Sequence, residues 1–303
     1  MRSDGTPESG SEAVIPDWHT NAILIADSLP RRFPALFEKL VAVLKTRHVT
    51  HAIIKGTRDV WLRDYSPIQA GHSKFVQFRY CPDYLRHHPH LITTPSTFKR
   101  LKFLKALRRS NLKLDGGNLV SNGPTVILTD KIFRENPDRT DKEIQRELKI
   151  LLGCQRLIFI PQEPDDIIGH SDGMVQFISE DRLVINDYSA IDACFGRQLG
   201  RVLTRHGFRL TTLPYCPDNS KGKEIDSAVG NYVNFVRAGD LLLVPSYGIP
   251  EDGEAIQRLK RLSPKLNVVS MDCQTIAQDG GALHCITWTV QLPAGQRRLL
   301  KSA

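Results

Sequence analysis

The sequence has no uninterrupted apolar run of about 18 residues, the length a helix needs to cross a bilayer, so a helical membrane span is excluded. Residues 1–12 are polar, with Gly, Ser and Pro and no hydrophobic core of a secretory signal, which predicts a disordered tail on a cytoplasmic protein. Paired cysteines are missing too. The six, at 81, 154, 194, 216, 273 and 285, include no Cys-x-x-Cys and no nearby histidine grouping of metal-binding form, so reduced thiols and no metal site are expected. What remains is 303 residues, 41% hydrophobic, enough to bury one large core or two small ones. A single domain over residues 13–303 is expected, because the motifs below come from both halves and must converge.

Helix and strand patterns alternate along the chain. Pro34 at a first-turn position, followed by Leu36, Phe37, Leu40, Val41 and Leu44, predicts an amphipathic helix before a strand at residues 51–54. A Thr140–Glu143 capping box opens a second helix that points Ile144, Leu148 and Leu151 inward and stops at Gly153, before a strand at 157–160. Helices are also expected over residues 191–206, 224–237 and 252–262, and a basic amphipathic one over residues 98–109. Tyr80-Cys81-Pro82-Asp83 recurs as Tyr215-Cys216-Pro217-Asp218, either a repeated strand-to-turn junction or chance use of common Pro-Asp turn chemistry; chance is the simpler account. The alternation implies an α/β fold, for which a doubly wound sheet is the usual form.

Four segments carry chemistry. In Asp279-Gly280-Gly281-Ala282-Leu283-His284-Cys285-Ile286-Thr287-Trp288, Cys285 follows a glycine pair in what reads as a buried strand. Alone, it is either an inert packed thiol or a nucleophile. His284 would face away from it on a strand, where successive side chains alternate. A base is better sought in Gly169-His170-Ser171-Asp172, where His170 and Asp172 share one face if the segment is extended. Asp115 precedes a glycine pair in Leu114-Asp115-Gly116-Gly117-Asn118, and Asp64 lies three residues after Trp61 in Trp61-Leu62-Arg63-Asp64. Each acid taken singly is equally an ordinary turn or solvated residue.

Together, the four segments in this order resemble the guanidino-modifying enzymes of the pentein superfamily, and most closely the agmatine deiminase and bacterial peptidylarginine deiminase branch. The likeness includes Asn231-Tyr232-Val233-Asn234-Phe235 and the apolar run to Pro245, and covers roughly residues 15–290. It implies a five-bladed pseudo-symmetric α/β propeller and a cofactor-free deiminase. Asp64 and Asp172 would accept paired hydrogen bonds from a planar guanidinium. Cys285 would attack its central carbon, His170 would serve as acid and then base, and Asp115 would orient His170. Trp61 would line the substrate channel or, equally, pack in the core. Ammonia and a ureido compound would be the products. The chain departs from the usual agmatine deiminase: Asp115 stands in place of Glu, Asp279 and Ala282 in place of Gly and Asn, and Tyr65-Ser66 in place of Thr-Gly.

Those departures leave the substrate open among agmatine, free arginine and peptidyl-arginine, and an amidinotransferase would use the same residues. A cysteine protease would need only Cys285 and a histidine, and a nucleic-acid binder none of the set. The net charge of +8 fits the last class, through residues 98–109, but a solvated basic face is the plainer reading and no nucleic-acid partner is expected. A basic protein needs a locally acidic mouth to admit a cation, which Glu163, Asp165 and Asp166 are placed to form. Arg58, Arg63 and Arg79 could pair a substrate carboxylate, although surface or structural roles suit them better. Oligomeric state is not encoded in any motif.

Overall fold

The computed structural model describes residues 13–217, 225–297 and 300. The expected disordered tail at 1–12 lies outside the described residues. The strands are β1 (Ala22–Ala26), β2 (Thr50–Ile54), β3 (Ile68–Gln69), β4 (Lys74–Arg79), β5 (Ala106–Lys113), β6 (Val120–Ser121), β7 (Thr125–Thr129), β8 (Arg156–Ile160), β9 (Val175–Ser179), β10 (Arg182–Asn186), β11 (Arg209–Leu213), β12 (Val236–Ala238), β13 (Leu241–Ser246), β14 (Asn267–Asp272) and β15 (Thr287–Val290). The helices are α1 (Leu29–Arg32), α2 (Pro34–Thr46), α3 (Leu62–Tyr65), α4 (Lys131–Glu135), α5 (Asp141–Leu152), α6 (Ala193–Arg205), α7 (Glu251–Leu262) and α8 (Gln274–Ala277).

Among the described residues these strands form five three-stranded sheets with one repeated topology. In each, the central strand pairs antiparallel on one side and parallel on the other, as β7 does with β6 and β8. The parallel pair requires a crossover, supplied by α1 and α2, by 3-10 turns between β4 and β5, by α4 and α5, by α6 and by α7. Five such units make the five-bladed α/β propeller that the motif resemblance implies, rather than a doubly wound sheet. The ring closes through the ends of the chain: β15 is the antiparallel neighbour of β1, with Ala22 opposite Val290. The central strands β1, β7 and β13 are near-continuous apolar runs because both of their faces are covered.

This topology places the functional segments. The connection between blades leaves the third strand and enters the first strand of the next sheet, so it runs at the carboxyl ends of the parallel pair. All four motif segments lie in such connections: β2 to β3, β5 to β6, β8 to β9 and β14 to β15. The fifth, β11 to β12, carries Asn231 and Asn234.

Several local expectations hold. The Thr140 hydroxyl and the Glu143 carboxylate cap α5 reciprocally, and Gly153 ends it in the left-handed conformation at φ 65°. Others need correction. Leu152, not Leu151, completes the buried stripe of α5 with Ile144 and Leu148. Residues 98–109 are no helix: a 3-10 turn (Pro95–Arg100) is followed by β5, whose backbone pairs with β4 while Arg108 and Arg109 stay outside on a sheet edge, where cations discourage further pairing. Of the helix expected over 224–237, residue 224 lies outside the described residues and the remainder forms turns and β12. A bridge from Asn231 to Tyr215 and positive φ at Gly230 break any helical register there. Tyr80 follows a central strand and Tyr215 an edge strand, so their shared tetrapeptide marks no repeated blade position; Asp218 lies outside the described residues.

Candidate active site

The sequence suggests a strand at Cys285, but the structure places this residue in a tight turn just before β15, held by Ile286 N–H to Ala282 and Thr287 N–H to His284 carbonyls. The glycine pair, followed by inward hydrogen bonding of the Thr287 hydroxyl to Leu283 O, bends the chain before the sheet begins. His170 likewise caps, and Asp172 lies within, a 3-10 turn (Ser171–Gly173) instead of an extended segment, and β9 starts only at Val175. Both residues nevertheless line one cavity with Cys285.

The Trp61–Asp64 segment is strapped to the cysteine turn. Arg63 N–H donates to Cys285 O at 3.1 Å, and its guanidinium reaches His284 O at 3.4 Å and the Thr289 hydroxyl at 3.2 Å. Arg63 is thereby structural. The short helix α3 buries Asp64, whose Oδ1 accepts from Gly117 N–H at 3.0 Å and lies 3.6 Å from His170 Nδ1. On the opposite side of the ring, His170 Nε2 donates to Asp115 Oδ2 at 3.1 Å. The aspartate thus reaches the histidine despite its short side chain. A Cβ on Gly117 would fall 2.5 Å from His170 Nδ1 and 2.6 Å from Asp64 Oδ1, so only glycine permits this approach.

Asp172 is oriented by His284, whose Nδ1 donates to its Oδ2 at 2.6 Å while Nε2 faces Asp17 at 3.5 Å. His284 is therefore engaged by carboxylates and lines neither cavity that Cys285 lines. It is not the partner of the thiol, although the reason is this pairing and not strand alternation.

Asn234, Tyr84 and Asp17 have no assigned role in the sequence reading. Asn234 Nδ2 donates to Cys285 Sγ at 3.2 Å, and its Oδ1 accepts from His284 N–H at 3.0 Å and Cys285 N–H at 3.4 Å, fixing the turn from both sides. Asn234 lies in the Asn231–Phe235 segment, and only its place beside the Cys285 turn distinguishes it from Asn231. Tyr84, from the β4–β5 crossover, packs edge-on against His170 and donates to Asp115 at 3.4 Å. No local pattern marked it.

Burial dominates the electrostatics. It would push His170 down, but Asp64, Asp115 and Asp172 outweigh it and hold the imidazole up at about 9. Burial raises Asp64 to about 7, against the opposing pull of His170, with help from Asp115 and Asp172. Burial, then Asp172 and Asp64, push the Cys285 thiol well above its ordinary value. These shifts favour a protonated His170 and a neutral Cys285 thiol at neutral pH.

The cavity between Trp61, Asp64, Tyr84, Leu85, His170 and Cys285 has a volume of about 370 Å³. Trp61 forms part of its wall, is only partly buried, and also packs against the hydrophobic core. Arg32 sits toward its rim, bonded to Asp279 at 2.8 Å and to Asp59 at 3.5 Å. The acidic trio divides: Glu163 accepts from the Tyr188 and Tyr215 hydroxyls, Asp166 caps the Ile168 and Gly169 N–H groups, and Asp165 is exposed.

The sequence profile described as Porphyromonas-type peptidyl-arginine deiminase matches residues 22–293. The chain belongs to that family. Among its relatives, a Streptococcus mutans protein named "Putative agmatine deiminase" is 27% identical over 204 residues, 57% of this chain and 55% of that protein. A Lactococcus lactis protein of the same name is 23% identical over 220 residues, 62% of this chain and 59% of its own length. The chain thus matches less than two thirds of the length of these relatives. The substrate-bound C. jejuni agmatine deiminase superposes with a TM-score of 0.76 at 20% identity, over 93% of this chain and 97% of that one. A saxitoxin-pathway amidinotransferase from Microseira wollei gives 0.63 at 11% identity, over 93% and 98%. At such identities the superpositions establish the fold that family members share. Among the described residues no helix is long and apolar enough to cross a membrane.

Proposed function

We propose that the chain is a cysteine-dependent deiminase that hydrolyses a guanidino compound of the agmatine or arginine type to a ureido product and ammonia. The observation that supports this most is the chain Asp64–His170–Asp115 beside Cys285, with Asp64 lining the cavity on one side of the thiol and Asp172 the cavity on the other, since a protease has no use for the extra carboxylates. A guanidinium between Asp64 and Asp172 supplies the positive charge that the Cys285 thiol lacks, favouring its ionisation when substrate arrives. Sγ then bonds to the central carbon. His170 donates its proton to one nitrogen, the C–N bond breaks, and ammonia leaves a thiouronium on Cys285. Neutral His170 takes a proton from water as that water attacks. The C–S bond breaks as the hydroxyl of the adduct becomes the ureido carbonyl and its proton returns to the Cys285 sulfur, while the proton that the thiol gave up to solvent at the start converts the released ammonia to ammonium.

The apolar walls at Leu85, Leu91 and Trp61 suit a methylene chain, and the two carboxylates around Arg32 leave the rim net negative, which favours an amine-ended substrate such as agmatine over a carboxylate-ended one. Offering agmatine, arginine, guanidine and an arginyl peptide, with ammonia and ureido product measured, tests the reading. Agmatine is expected to be turned over best, and Cys285→Ala to abolish release. No ammonia from any of the four at high protein concentration would refute it.

A further inference from the structure

Cys285 and His170 line two cavities, not one. The second, of about 340 Å³, lies on the Asp172 side and is walled by Asp165, Asp166, Asp226, Ala228 and Asn231. The two share Ile168, His170, Gly280, Gly281 and Cys285. Where they meet, Ile168 and Ile225 pack over Gly280, which has φ 94° and whose absent Cβ would collide with Ile225 and approach Ile168 within 3.4 Å. The first cavity has mainly apolar walls with Asp59, Asp64 and Asp279 among them; the second is more polar and carries Asp165, Asp166, Asp172 and Asp226. Its residue Asn231 also carries a buried Oδ1 without a hydrogen-bond partner.

The deiminase reading creates a traffic problem that this arrangement answers. Once ammonia is expelled, the organic part of the thiouronium still fills the first cavity, yet ammonia must depart and a water must reach the same carbon. We propose that the second cavity is the port through which ammonia leaves and the hydrolytic water enters, so that the tail of the substrate never has to move between the two half-reactions. The proposal rests on the deiminase reading and assigns the port its atoms: NH3 passes out beside Asp226, and H2O passes in to His170, which removes its proton during attack.

Filling the port separates the half-reactions. In Ala228→Phe, the first half-reaction should proceed while hydrolysis slows about tenfold or more, so that one ammonia per protein appears in a burst and the thiouronium accumulates on Cys285. Rapid-quench measurement of ammonia against ureido product, with intact mass of the protein, reads both. kcat/KM should change less than about twofold while KM falls together with kcat, since the tail is bound elsewhere and the first half-reaction is untouched. The exposed rim variant Ile191→Trp should act in the same direction without touching the core, and Asp226→Asn, also exposed, should weaken inhibition by added ammonium. Folded variants with unchanged hydrolysis and no adduct would overturn the port, as would a rise in KM without an adduct, which would place the substrate tail in the second cavity. Absence of ammonia from the unsubstituted protein would instead remove the deiminase reading.

Discussion

Asp115 reaches His170 although it is one methylene shorter than the glutamate usual at that position. With no Cβ on Gly116 or Gly117, its segment packs directly onto Arg63 and Asp64, which brings the carboxylate to 3.1 Å from Nε2. The consequence is a pH profile. Asp64 must be ionised to hold the guanidinium, so kcat/KM should rise as pH increases through about 7; in the substrate complex, where the guanidinium favours the thiolate, His170 must be protonated to expel ammonia, so kcat should fall as pH increases through about 9. A rate–pH series checks both limbs. Asp115→Asn removes a group that holds His170 up, so the basic limb should move to lower pH while the acid limb moves less. Asn234→Ala removes the donor to Sγ and leaves two turn N–H groups without their acceptor. A fall in kcat of tenfold or more, about 1.4 kcal/mol, is expected in steady-state kinetics.

At the scale of elements, caps and turns have separable effects. Thr140→Ala breaks the capping box at the outer end of α5, far from the catalytic cavities, and should cost about 0.5–2 kcal/mol in denaturant unfolding with kcat unchanged. Gly117→Ala should do the reverse. The added methyl meets His170 and Asp64 side chains, so activity should collapse while the far-UV circular dichroism spectrum stays that of the parent. The elements also show where sequence patterns mislead. Residues 98–109 have helical amphipathicity, yet residues 106–113 become β5 because β4 offers a parallel ladder for their backbone. Cys285 sits among strand-forming residues but precedes the strand, since the turn is fixed by Asn234, 51 positions away.

For the whole molecule, closure of the ring by β15 against β1 makes the end of the chain part of the first blade. Trp288 on β15 packs edge-on or tilted against Phe75, Phe98 and Phe103, tying the closing blade to its neighbour. Trp288→Ala should therefore cost about 3–5 kcal/mol, read as a lowered unfolding midpoint for the whole chain and not a local opening. By itself the sequence determined which residues are available to react, their order along the chain, the helix boundaries signed by Thr140, Glu143, Gly153 and Pro34, and, through four motifs together, the family. Tertiary structure alone decided the pairings: His170 with Asp115 across 55 positions, Asp172 with His284 across 112, and the role of Tyr84. It also decided that Cys285 faces two cavities. The physical reason is that caps and periodicity are satisfied within a few residues, whereas each pairing at the site exists only where connections from different blades meet at one end of a closed ring.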